Sequence, residues 1–104
     1  MPDVLEVLAE RRRRLILDVL RRGETPVGAL VDELGVSQPL VSKHLRVLRE
    51  AGLVTVRVDG PRRVYRLRAE PLVELDAWLE PYRQLWNGSL DRLEAHLREG
   101  EDHG

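Results

Sequence analysis

Gly35 separates two apolar-patterned runs that are each too short to stand alone, and this division constrains the fold more than any other feature. Residues 27–34 carry one helical pattern and residues 38–50 another, with Gly35, Val36 and Ser37 between them. Helices of that length are marginal in water unless a shared core holds them. A three-residue connection makes them cross rather than continue. The caps agree: Thr25 is expected to cap the first run, with Pro26 in its opening turn where no amide bond is lost. Ser37 caps the second run, whose first turn tolerates Pro39 for the same reason, and Ala51-Gly52 ends it.

The second helix has two unlike faces. Val41, Leu45 and Leu48 fall on one stripe, suited to a core, while Pro39, Ser42, Lys43, Arg46 and Glu50 fall on the far side. Gln38 stands at the tip. His44 lies beside the apolar stripe, where a packing or capping histidine and a phosphate contact are equally compatible with its position.

Upstream, residues 4–8 and 15–20 have helical apolar spacing with Arg11–Arg14 between them, which fits two short helices or one bent one. Four successive arginines spread around a helix axis, so a solvated or acid-paired segment is expected there. Gly23 is expected to end this region as a left-handed cap. Downstream, LVTVRV (residues 53–58) and VYRLR (64–68) read as strands joined by a five-residue basic tip, DGPRR (59–63). From residue 70 the spacing turns helical again through Leu72, Leu75, Leu79, Tyr82, Trp86, Leu90, Leu93 and Leu97, with Pro81 expected to kink or split it.

A chain of 104 residues supports one domain. It has no cysteine, which removes disulfides and thiolate metal sites, and no apolar run long enough to span a membrane, so a cytoplasmic protein is expected. The net charge of −1 conceals a strong polarity. Between residues 37 and 68, Lys43 and seven arginines face only Glu50 and Asp59, whereas from residue 69 onward Arg83, Arg92 and Arg98 face nine acids. A concentrated basic segment sets a local field that the total charge hides.

Short helix, turn, polar-faced helix and basic hairpin together specify a winged helix-turn-helix: mainly α with a small antiparallel β-hairpin. The helix-turn-helix falls at about 26–50, the wing at 53–68 and C-terminal dimerisation helices at 70–99. In such a fold Gln38, Ser42 and Lys43 can meet base edges in a major groove, and Pro39 a thymine methyl. Arg46 suits phosphate, while Arg57, Arg62 and Arg63 of the wing suit a minor groove or its flanking phosphates. The apolar surplus of the terminal helices exceeds one small core. Val4, Leu5, Leu8, Leu75, Trp78, Leu79, Tyr82, Trp86 and Leu93 are therefore expected to pack against a second copy, the aromatics as interface rather than as a ligand pocket.

The stretch GALVDELGVSQPLVSKHLRVLREAGLV (28–54) followed by VYRL (64–67) resembles the ArsR/SmtB family of bacterial winged-helix repressors. The resemblance implies a homodimeric repressor of double-stranded DNA operators with inverted repeats, released by an inducer. It also implies dimerisation through the first and last helices and DNA contact at Gln38, Ser42, Lys43 and His44. The family's cysteine metal ligands are missing, since Pro26, Gly28 and Val31 stand at the start of the first of the two helices. Asp91, His96, Glu99 and His103 are wrongly spaced for its second metal site. Accordingly no metal and no cofactor are expected, and with no phosphate loop or nucleophile constellation no enzyme either. The competing class is a winged-helix protein-interaction module without DNA binding, which would normally lose the positive field concentrated here.

Overall fold

The computed structural model describes residues 3–102, with the side chains of 89–91 and 99–102 outside the description. The chain runs α1 (Val4–Ala9), α2 (Arg11–Arg21), β1 (Thr25–Pro26), α3 (Val27–Leu34), α4 (Gln38–Glu50), β2 (Val54–Asp59), β3 (Arg62–Leu67) and α5 (Glu70–Asp102). The N-terminal region is two helices. Glu10 adopts extended backbone (φ −82°, ψ 120°) that stops α1, and its carboxylate accepts from Arg12 N–H to start α2. In the arginine run Arg11, Arg12 and Arg14 are exposed and Arg13 is half-buried, and none of the four is acid-paired among the described residues. Arg13 Nη1 donates to the Val7 carbonyl at 3.3 Å, and Arg14 Nη1 to those of Leu8 and Ala9 at 2.7 and 3.1 Å. Two guanidinium groups thus satisfy the carbonyls that end α1.

Thr25 does not cap a helix. Thr25 and Pro26 form a short edge strand, paired antiparallel with Tyr65 and Val64 of β3, and α3 starts after Pro26 without a side-chain cap. Pro26 is extended (φ −68°, ψ 153°), and proline is tolerated on a sheet edge because its missing donor faces no partner. The hairpin expected from residues 53–68 therefore becomes a three-stranded sheet of order β1-β3-β2. Gly23 follows α2 at φ +153°, a positive angle that favours glycine but lies well beyond the left-handed helical value, and its N–H bonds the Leu20 carbonyl at 3.1 Å.

The other helix ends match their local chemistry. Gly35 closes α3 at φ +66° with its N–H on the Val31 carbonyl, and Ser37 Oγ accepts from Leu40 N–H to open α4. Gly52 N–H reaches the Arg49 carbonyl and Leu53 N–H the Leu48 carbonyl at 2.9 Å, the paired bonds of a Schellman closure. In the hairpin, Asp59 pairs with Arg62, so the turn is only Gly60 and Pro61 and both Arg62 and Arg63 belong to β3. Gly60 at φ +59° supplies the left-handed first position such a two-residue turn demands.

The core sits where α2, α3, α4 and the sheet converge. Val7, Ile16, Leu30, Val41, Leu45, Leu48, Leu53 and Val54 are fully buried there. Helix α5 passes Pro81 as one element, although proline removes the bond to the Ala77 carbonyl. Ala77 is exposed, so water can replace that bond. Leu72 packs against the core, whereas Trp78, Tyr82, Leu85, Trp86, Leu93 and Leu97 are exposed. Among the described residues no helix is long and apolar enough to cross a membrane.

Gly52 offers a direct check on this framework. It stands at φ +76°, and a Cβ there would lie 3.2 Å from Arg68 Nη1. The arginine tip can move but the backbone cannot, so Gly52→Ala is expected to destabilise the fold by about 1–2 kcal/mol in urea unfolding.

Candidate nucleic-acid interface

Helix α4 presents its front because its back is held. With Val41, Leu45 and Leu48 at most 1% exposed, the opposite side leaves Gln38, Pro39, Ser42, Lys43, Arg46 and Arg49 facing water. A groove runs along this side, lined by Gln38, Ser42, Arg46 and Arg49 of α4, with Arg63 and Tyr65 of β3 forming its other wall. A second hollow continues past Gln38 between the start of α3 and the wing turn, where Arg62 and Arg63 meet Val27 and Gly28. Gln38 borders both. Pro39 and Lys43 are exposed on the same helix but line neither hollow.

The cations of this surface are lightly committed. Arg46 Nε lies 3.2 Å from Glu50 and Arg62 Nη2 3.2 Å from Asp59. Both are exposed pairs, which a competing phosphate can replace at little cost. Arg49 escaped the sequence reading, although it lies seven residues after Ser42 and three after Arg46 on one helical face.

Two expected contacts fall elsewhere. Arg57 points to the other face of the sheet, beside Thr55, Val64 and Arg66, with Nη2 2.8 Å from the Glu24 carboxylate. That hydrogen bond, reinforced by the Arg57 charge, holds the Glu24 carboxyl below its usual range, and Arg57 is held above its own. It shares no lining with Gln38. His44 is only 7% exposed, and Arg13 Nε donates to its Nδ1 at 3.3 Å. Its side chain lies inside the fold, not on the exposed front of α4 with Gln38, Ser42 and Lys43. Its Nε2 has no hydrogen-bond partner among the described residues.

Other sequence candidates are placed without chemistry of their own. Trp78 and Tyr82 lie with ring centroids 4.9 Å apart on α5, exposed with Trp86, while Val4, Leu8, Leu75 and Leu79 are half-buried nearby in the fold. His103 and the side chains of Asp91 and Glu99 are outside the described residues. Among those described, no group of three or more His, Cys, Asp or Glu is placed to hold a metal ion.

A buried-backed helix with a polar front, preceded by a crossing helix and flanked by a basic wing, defines a winged helix-turn-helix nucleic-acid binder. The sequence profile of the bacterial regulatory protein arsR family matches residues 10–56. The chain is 43% identical over 77 residues to the HTH-type transcriptional regulator Rv2034 of Mycobacterium tuberculosis, covering 74% of this chain and 72% of that protein. Another curated relative, the repressor SmtB of the same organism, is longer, and the chain spans 54% of it. A crystal structure of a possible transcriptional regulator for arsenical resistance superposes with a TM-score of 0.72 at 44% identity, over 91% of this chain and 96% of that one. The solution structure of a homodimeric winged helix-turn-helix DNA-binding domain from Mycobacterium bovis gives 0.64 at 34% identity, over 79% and 76%. The chain belongs to the arsR family and is a DNA-binding transcriptional regulator of that type, not an enzyme; nothing in these likenesses favours a protein-interaction module without DNA.

Burial pushes the His44 pKa below its ordinary value, and the Arg13, Arg12 and Lys43 charges add to this while Glu10 opposes it. Below a pH of about 6.5 the unfolded chain then binds a proton that the folded chain refuses, so stability falls as pH drops through that value. Urea midpoints should decrease on acidification in the wild type and less in His44→Asn.

Proposed function

We propose that this regulator works in the cytoplasm as a homodimeric repressor that reads an inverted-repeat operator and is released by a small-molecule inducer. The observation that carries it is the shared groove: Gln38, Ser42, Arg46 and Arg49 on α4 face Arg63 of the wing across one open channel. In this assignment Gln38, Ser42 and Lys43 meet base edges, and Pro39 meets a thymine methyl. Arg46, Arg49, Arg62 and Arg63 neutralise phosphates.

The homodimer is supported by apolar surface without a partner. Trp78 is 54% exposed, Leu93 54% and Leu5 47%, and these lie on the helices α5 and α1 that touch each other in the fold. Covering that face with a second copy, through Val4, Leu5, Leu8, Leu75, Trp78, Leu79, Tyr82, Trp86 and Leu93, would remove it from water. It would set two α4 helices about one DNA turn apart, roughly 34 Å.

Selection of bound duplex from a random pool tests the proposal, with a palindromic consensus as the expected result and no preference as the result that ends it. On the selected operator, Gln38→Ala should cost about 1–3 kcal/mol and relax the preference at one position of each half-site. Arg49→Ala should instead weaken all sequences alike. The slope of log affinity against log salt should be roughly −5 to −9 per dimer, from about six to ten neutralised phosphates.

A further inference from the structure

His44 is the one buried polar or charged side chain among the described residues, and it lies in the middle of α4. Arg13 donates to its Nδ1 through Nε and to the Val7 carbonyl through Nη1, each at 3.3 Å. One guanidinium therefore joins three elements: the end of α1, the first turn of α2 and the centre of α4. An imidazole that accepts at Nδ1 while neutral carries its proton on Nε2, the atom left buried without a partner. An apolar side chain of similar size would fill the space without that cost, so packing alone does not account for a histidine here.

We propose that Arg13 and His44 are positioning residues for DNA recognition: the guanidinium ties neutral His44, and with it α4, to the carbonyl end of α1, and a proton taken up at Nδ1 unties them. The proposal rests on the DNA-reading role of α4 argued above. A protonated Nδ1 has no lone pair to accept the Arg13 N–H, and two cations would then face each other where little water reaches. The charged groups around His44 are Arg13 and Arg12 from α2, Glu10 at the junction of α1 and α2, and Lys43 on its own helix. Three cations against one carboxylate leave an imidazolium uncompensated. Gln38 and Ser42 ride on the same helix as His44, so a shift of α4 against α2 carries both relative to Arg62 and Arg63 on the wing. At the other end of the tie, α1 touches α5, which links the exposed apolar faces to the DNA-reading helix.

Anisotropy titrations of the full chain with its selected operator, at about pH 7.5 and about pH 5.5 and one ionic strength, test the tie. Wild-type operator affinity should fall severalfold at the lower pH, while binding to random duplex should not weaken, since acid only adds positive charge. His44→Asn keeps an acceptor near the Nδ1 position but cannot titrate, and should hold the ratio between the two pH values within about twofold. Arg13→Leu should lower affinity at the higher pH toward the wild-type value at the lower one and flatten the dependence. A readout without DNA runs beside these: in the wild type, NMR shifts of the α4 and Val7 backbone amides should titrate together with the His44 ring, and in neither variant should they do so. An undiminished pH ratio in His44→Asn, or α4 amides indifferent to the ring, overturns the proposal. If α4 follows the ring but no duplex is preferred, the tie stands and the DNA-reading role of α4 falls.

Discussion

Burial of Val41, Leu45 and Leu48 is the interaction on which the rest of the molecule depends. Each such side chain removed from water contributes roughly 1.5–3 kcal/mol, and together they set the rotation of α4 about its own axis. That rotation decides which residues are left outside. A register change of one residue would turn the helix by about 100° and put Ser42 into the core. The same helix end directs the sheet: the closure at Gly52 hands Leu53 into the core, and β2 and β3 then run back so that Arg63 meets the front of α4.

The arginines show how one residue type is divided among tasks by its surroundings. Arg13 and Arg14 spend their donors on the carbonyls at the end of α1, and Arg57 on Glu24. Arg49 and Arg63 make none of the ion pairs found among the described residues, while Arg46 and Arg62 are held only by exposed ones. A count of positive charges along the chain treats all of these as equivalent. Only the last four are exposed along the two hollows that Gln38 borders, Arg46, Arg49 and Arg63 in one and Arg62 and Arg63 in the other, which is where a polyanion could lie.

Helix α5 contributes little to the core and much to the surface. Its acids keep the negative charge of the chain away from the groove, and Arg83 pairs with Asp76 and Glu80 along the helix itself. Trp78, Tyr82 and Trp86 lie on one apolar stripe that a lone chain leaves wet. A chain of this size rarely exposes so much contiguous apolar surface without a partner for it.

Local chemistry determined a good deal by itself. Helical periodicity, the serine cap at Ser37 and the glycine stop at Gly35 depend on neighbours within a few residues, and α3, α4 and the polar face of α4 were legible from them. The strand at Thr25 and Pro26 was not, because a proline that can open a helix can equally pair as an edge strand, and β3, forty residues away, decided between the two. The division of candidate contacts was also tertiary. His44 stands beside the apolar stripe in any helical projection, and only the approach of α2, with Arg13, buried it. Arg57 and Arg63 are both basic wing residues, but the pleat sends their side chains to opposite faces of the sheet, and only one of those faces looks toward α4.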